Sequence, residues 1–345
     1  MLRPKTPEEV QEAVLAHPRL RVRGGGSKPA LSGPEEGEAL LDLSELKGVV
    51  EYDPEELVLV ARAGTRVAEV EALLKAHGQH LPFHPPLPAH GATLGGTVAA
   101  GLSGPLAQRF GGVRDFLLGV RFVDGQGRLL KGGGKVVKNA AGFPFHRLMV
   151  GALGAFGVLV ELAFKVFPAP PATRTLRVAF PSLEEALSAL ERLLLAPLDL
   201  MALDLLPPNA LEVRIGGFPE ALGPRLEKLK RLLGRDGEVL EEDEAHWEGV
   251  RNLAFLEGPL LLKVPSRLDL IPLLEGLPLG RRRYLLGGNV LYAEGDGEAL
   301  KALRARGLAH LVLKGAEDPL FPRPQNPFFQ KVKAALDPLG RFPLR

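Results

Sequence analysis

Two hydrophobic periods share this chain. Period two predicts strands: Val160, Leu162, Phe164 and Val166 fall on one side of an extended segment, with Glu161 and Lys165 on the other. Gly119-Val-Arg-Phe-Val-Asp124 alternates in the same way and runs into a Gly125-Gln-Gly127 turn. Arg19–Arg23 alternates too, and further strands are predicted near Leu40–Leu43, Val49–Tyr52 and Leu57–Arg62. Helical spacing interrupts this run. Thr6-Pro-Glu-Glu9 is a capping box with proline at the first helical position, opening a helix through about His17. Thr65 stands where a cap belongs for a helix with Val67, Val70, Leu73 and Leu74 on one face, stopped by Gly78. Another helix is expected to start near Thr93.

The texture changes after Pro168-Ala-Pro-Pro171. A strand around Leu176, Val178 and Phe180 is followed by a helix opened by the capping box Ser182-Leu-Glu-Glu185. Strands at Leu200–Leu206 and Leu211–Ile215, a helix from Pro219 to Gly234 and a strand near Val239 complete one β-α-β-β-α-β round. A helix around His246 and Trp247 leads into a second round of the same order. It comprises a strand at Leu260–Val264, a helix from Ser266, strands at Tyr284–Leu286 and Val290–Tyr292, a helix at Glu298–Arg306 and a strand at Leu308–Leu313. Each round is a split βαβ arrangement, which predicts two ferredoxin-like halves sharing one sheet. A proline-rich loop, Pro319–Pro327, and a helix over Asn326–Leu336 finish the chain. The expected fold class is α+β, with domains at 1–170 and 171–315 and a C-terminal segment at 316–345.

Length fits that division, since 345 residues exceed what one core usually holds. The net charge of +2 and the spread of basic residues give little reason to expect nucleic acid. The one basic run, Arg281-Arg282-Arg283, is expected as a solvated strand edge. Absence of cysteine excludes disulfides, thiolate metal sites, iron–sulfur ligation and a cysteinyl–flavin bond. Met1–Gln11 has no apolar leader, and no run approaches the ~18 apolar residues of a membrane span, so a cytoplasmic protein is expected.

Candidate chemistry gathers on glycine-rich segments. Arg23-Gly-Gly-Gly-Ser27 follows a strand, and three consecutive glycines offer a concave run of N–H donors for a pyrophosphate, with Arg23 or Ser27 adding contacts. A flexible turn fits the same residues. This is not a Rossmann fingerprint, and Gly132-Gly-Gly-Lys135-Val136 is not a P-loop. Ala92-Thr-Leu-Gly-Gly-Thr97 opens a helix whose free N–H groups would meet an anion. His84, His90 and His146 are candidate general bases, because imidazole titrates near neutrality, although a lone loop histidine is more often structural. The second domain has no His-x-His or clustered His/Glu set, so no metal site is expected.

The strings ATLGGTVAAGLSGP, VRDFLLGVRFVDGQG, GGGKVVKNAAG, RLMVGALGAFGVLVE and KVFP together resemble the FAD-binding domain of the vanillyl-alcohol oxidase and p-cresol methylhydroxylase (PCMH-type) flavoproteins. Within that group they are similar to the FAD-binding subunits of bacterial glycolate oxidases. The resemblance is strongest over residues 1–170. It implies a PCMH-type FAD-binding domain of two α/β subdomains, a ferredoxin-like antiparallel-sheet cap, and a C-terminal segment returning to the flavin domain. It also implies FAD bound without a covalent link, because Lys28 and Pro29 follow Ser27 where covalent members carry a histidine. The implied cofactor contacts are Arg23, Gly24, Gly25, Gly26 and Ser27, then Ala92, Thr93, Leu94, Gly95, Gly96 and Thr97 with Gly101 and Gly104. Lys138 and Asn139 follow near the flavin, and Gly154, Gly157 and Val158 at the adenine end.

The implied reaction is oxidation of glycolate to glyoxylate, with hydride passing from the substrate Cα to flavin N5 and electrons leaving through an iron–sulfur subunit. A larger flavin subunit completes the implied complex, which would hold this cytoplasmic chain at the periphery of the inner membrane. Lack of the metal-holding histidines of hydroxy-acid dehydrogenases points to an accessory role beside that larger subunit. The chain departs from the family at Phe143-Pro144-Phe145-His146, where Tyr-Asp usually follows the Ala-Gly, and at Asp337-Pro-Leu-Gly-Arg-Phe-Pro. Two other readings stay open: a stand-alone FAD-dependent alcohol or hydroxy-acid oxidase, and a structural subunit that has lost flavin.

Overall fold

The computed structural model describes residues 1–134, 143–316 and 318–344. They form two compact units, one of Met1–Ser103, Gly111–Pro168 and Arg323–Arg345, the other of Gly104–Phe110 and Ala169–Pro322.

The first unit starts from the helix Pro7–Ala16, whose cap Thr6 accepts the Glu9 amide. The Glu9 carboxylate takes the Lys5 amide at 2.7 Å, so the capping box is only half made. Val10 and Val14 of this helix pack on a parallel pair of strands, Leu20–Arg23 and Ala39–Asp42. Phe342 enters the same cluster, which also takes in Leu43, Val123, Val158 and Val160. The last residues are fixed in place by hydrogen bonds: Leu20 N–H donates to the Arg341 carbonyl and Gly125 N–H to that of Leu336, both at 2.8 Å. In the altered ending, Asp337 accepts the amides of Arg341 and Phe342 and pairs with Lys333 at 2.6 Å.

A five-stranded antiparallel sheet follows the order Val49–Asp53, Val58–Arg62, Val158–Lys165, Leu117–Val123, Leu129–Gly133. The Val158–Lys165 strand is its centre. The expected one-sided burial is too narrow there: Leu159 and Ala163 are buried together with Val160, Leu162 and Phe164. One reason is the short helix Leu94–Ala100, which packs on this strand. Glu161 is held by Arg62 at 3.2 Å and Arg121 at 3.4 Å. Thr65 does not cap the helix Val67–Ala76, whose N-cap Arg66 makes no side-chain cap. Its hydroxyl accepts the Gly48 amide and donates to the Gly48 carbonyl, satisfying a turn instead.

The second unit is built on a nine-stranded sheet in the order Glu238–Leu240, Ala172–Ala179, Ala210–Gly217, Ala202–Leu206, Arg282–Leu285, Val290–Gly295, Leu260–Pro265, His310–Lys314, Leu320–Phe321. Each β-α-β-β-α-β round forms a four-stranded ferredoxin-like half, and the second strand of each meets the other where Leu205 faces Tyr284. The α+β class and the ferredoxin-like sheet are as expected. Helices Leu183–Leu195 and Pro219–Leu233 pack on the first half.

The basic run overturns its expectation. Arg282–Leu285 is an interior strand and Arg283 is 5% exposed. Its guanidinium bonds Asp204 at 2.8 Å and Glu212, and lies 5.2 Å from the Trp247 ring centre. Glu212 in turn takes Arg177 and, at 2.8 Å, His246. Burial pushes the Asp204 carboxyl up to about 6 against the pull of Arg283. Burial works the same way on Glu212, but the His246 hydrogen bond and the Arg283 charge outweigh it and bring that carboxyl down to about 2. A buried guanidinium is tolerated because two carboxylates await it, Asp204 on the neighbouring strand and Glu212 on the strand beyond.

Among the described residues no helix is long and apolar enough to cross a membrane.

Candidate functional site: a glycine-walled cleft

The first unit contains a cleft that is open to solvent. Three segments wall it. The loop after the Leu20–Arg23 strand contributes Gly24, Gly25, Gly26, Ser27 and Lys28; the start of the Leu94–Ala100 helix contributes Thr93, Gly95 and Gly96; and the turn before the Val158–Lys165 strand contributes Leu153, Gly154 and Gly157. Val22, Leu31, Leu43, Ala63, Met149 and Leu159 make the rest of the wall largely apolar.

Glycine is required where the first two walls meet. A Cβ on Gly24 would lie 2.2 Å from Thr93 Oγ1, and one on Gly25 only 1.6 Å from the Gly91 carbonyl oxygen. The third wall is clasped to the second: Gly151 N–H donates to the Val98 carbonyl at 2.9 Å and Leu153 N–H to that of Ala99 at 2.8 Å. Leu153 adopts a left-handed φ of 50°, a strained conformation for leucine.

The hydrogen-bond donors are not where the helix start suggests. Leu94 N–H is taken by the Thr65 carbonyl at 3.0 Å, Gly95 N–H by that of Ala63 at 2.8 Å, and Gly96 N–H by Thr93 Oγ1 at 3.2 Å. These first-turn amides are spent inside the protein, which corrects the expectation of free donors there. The amides of Gly25, Gly26 and Ser27, by contrast, meet no acceptor among the described residues. Anion-binding capacity therefore rests on the first loop.

The other sequence candidates divide. Arg23 turns away from the cleft to pair with Asp42 at 2.6 Å. Ala92, Leu94, Thr97 and Val158 are buried behind the wall, in the core. Gly101 ends the helix at a left-handed φ of 62°, and its missing side chain admits Gly151, whose Cα would stand 3.0 Å from a Cβ there. Gly104 belongs to the second unit, outside the cleft. Lys138 and Asn139 lie outside the described residues. None of the three candidate bases lines the cleft. His84 is buried at φ 49°, His90 is exposed on the turn Pro88–His90, and His146 sits on the helix Phe145–Met149, where burial lowers its pKa.

Sequence reading missed Lys28. It is 7% exposed, and its ammonium donates to Ser27 Oγ at 2.9 Å. Burial pushes it down to about 8. A lysine two residues after a glycine run was the available signal, but nothing local shows that its side chain turns inward.

The cleft, walled by a glycine loop, a short helix and a strand entry beside an antiparallel sheet, lies in a flavoprotein fold by its family match. Residues 1–133 match the family model described as "FAD binding domain". The fold is shared with alkyldihydroxyacetonephosphate synthase, at a TM-score of 0.72 and 18% identity over 98% of this chain and 74% of that one. The chain is 37% identical over 343 residues to "Glycolate oxidase subunit GlcE" of Escherichia coli (strain K12), covering 97% of this chain and 94% of that protein. It therefore belongs to the GlcE family of glycolate oxidase subunits, a family of FAD-dependent oxidoreductases, and its cofactor is FAD.

More distant relatives include a D-lactate dehydrogenase of Archaeoglobus fulgidus, 29% identical over 62% of this chain, and "Glycolate oxidase subunit GlcD" of Bacillus subtilis (strain 168), 25% identical over 72%. The matches span 48% and 54% of those two proteins, about half their lengths.

The residues present fit FAD. Unspent amides and one buried cation meet the needs of a diphosphate, and apolar walls meet those of flat rings.

Proposed function

We propose that this chain is the FAD-binding subunit of a glycolate-oxidising complex, and that it holds FAD non-covalently in the cleft of its first unit. Its partners in this reading are a larger flavin subunit and an iron–sulfur subunit, which keep it at the periphery of the inner membrane. The observation that carries the reading is the nearly full-length likeness to a glycolate oxidase subunit. Gly24–Ser27 would receive the diphosphate, and the Thr93–Gly96 and Leu153–Gly157 walls the ring systems. Bound FAD supplies a two-electron acceptor. This chain's own residues bind it, orient it and keep water from its buried parts.

Among the described residues the wall includes no histidine, tyrosine or cysteine of the kind that links covalently to flavin, which fits non-covalent binding. None of His84, His90 and His146 lines it, which favours the accessory role. In this reading hydride is taken from glycolate on the larger subunit, and this chain carries a second flavin for electron transfer or assembly.

The test is the visible spectrum of the purified chain with FAD, before and after anaerobic glycolate. Flavin should bind, leave with the supernatant on acid denaturation, and stay oxidised unless the other subunits are added. Bleaching by the chain alone would overturn the accessory role, and failure to bind FAD would overturn the whole reading.

A further inference from the structure

The loop that opens the cleft follows a strand rich in cations, and they are treated differently. Arg21 pairs with Glu38 at 2.9 Å and Arg23 with Asp42 at 2.6 Å, so both are neutralised within the first unit. Lys28 is nearly as buried as Arg21, yet among the described residues its ammonium meets only the neutral Ser27 hydroxyl. It is the one charged side chain lining the cleft among the described residues. The groups that face it, from Val22 and Leu43, from the Thr93–Ala100 wall and from the Met149–Leu159 wall, are uncharged. Burying an ammonium without a counter-charge carries a large desolvation penalty, which an arriving anion offsets. The unspent amides of Gly25, Gly26 and Ser27 lie beside it, which is a donor set for several anionic oxygens rather than for a neutral ring.

We propose that Lys28 is the cleft's specificity-determining residue, its ammonium closing on the cofactor diphosphate so that the site selects FAD over flavins that lack one. The proposal rests on the FAD-binding reading above. Without a bound anion the Lys28 charge is uncompensated, a cost that anion binding removes. Burial lowers the Lys28 pKa to about 8, and a bound anion would raise it. Binding should then take up protons, and FAD affinity should fall as pH rises through about 8.

The experiment titrates FAD, ADP and riboflavin into the full-length apoprotein from pH 6.5 to about 9.5, using wild type, Lys28→Met and Lys28→Arg. Lys28→Met should weaken FAD and ADP by roughly 10- to 100-fold, leave riboflavin within about threefold, and abolish the pH dependence. Lys28→Arg should recover most of the affinity. Apo Lys28→Met should melt no lower than apo wild type, because the charge it removes had no partner. An FAD affinity changed by less than about threefold, an equal loss for riboflavin, or a fall in apo melting temperature that accounts for the loss would each overturn the proposal. Wild type that binds ADP but not FAD would overturn the FAD reading itself, whereas wild type that binds FAD as tightly as Lys28→Met does would overturn only the role of Lys28.

Discussion

Replacing Gly25 by alanine should cost this protein its cofactor while leaving most of the fold intact. The new Cβ would stand 1.6 Å from the Gly91 carbonyl oxygen, and an ordinary contact begins at 3.4 Å, so the loop must retreat by the difference, 1.8 Å. Backbone sits on both sides of that contact, so no side-chain rotation relieves it. Preorganised donors tolerate displacements of only about 0.5 Å, so the Gly25, Gly26 and Ser27 amides would lose their alignment toward a diphosphate. Hydrogen bonds to a charged acceptor are worth about 1.5–3 kcal/mol each, so losing even two of these three raises Kd by a factor on the order of 100 or more. Quenching of FAD fluorescence on titration into the apoprotein measures this directly, with circular dichroism confirming the fold. A folded Gly25→Ala protein that binds FAD within about threefold of wild type would refute the argument that this close approach sets the donor geometry.

Further outcomes follow from the second unit. Arg283→Met should destabilise it by about 3–5 kcal/mol, because Asp204 and Glu212 would be left buried without their shared cation, and calorimetry should show a melting point lower by roughly 10 °C; a shift under about 2 °C would contradict the buried network. Asp204 has a folded pKa above its unfolded one, so it binds protons preferentially when folded. Stability should therefore fall as pH rises from the ordinary carboxyl value of 3.8 through about 6, by at most roughly 3 kcal/mol. Glu212 has the opposite sign: its contribution is present above its ordinary value of 4.5 and lost as pH falls toward about 2. Asp204→Asn should flatten the upper branch in urea melts at pH 4.5 and about 7.5, and an unchanged slope would assign it to another group. Gly249→Ala should stabilise the helix Glu244–Arg251 by about 0.5–1 kcal/mol, because the new methyl meets nothing closer than Ala254 Cβ at 4.0 Å. A lower urea midpoint would show unnoticed strain there.

What the sequence by itself determined is what neighbours along the chain decide. Thr93 and Ser182 cap the helices expected of them, because a cap needs only an amide three residues on. Alternation from Gly119 to Val123 becomes a strand, the Gly125–Gly127 turn brings it back, and the repeated β-α-β-β-α-β order yields two halves of one sheet, since period and connection length are local properties. The three walls of the cleft were legible as glycine-rich strings for the same reason.

Tertiary structure alone decided which groups in those strings are available. Thr65 left its helix because Gly48, 17 residues away, offers both an amide and a carbonyl. The amides opening the Leu94–Ala100 helix are spent on Ala63 and Thr65, so donation passes to the first loop. Arg283 is buried because its partners, 79 and 71 residues distant in sequence, arrive on the next two strands of the sheet. Lys28 turns inward, and only packing makes it the charge inside the cleft. Local sequence fixes backbone preference cheaply, but burial and hydrogen-bond satisfaction are settled only when distant segments compete for the same polar atoms.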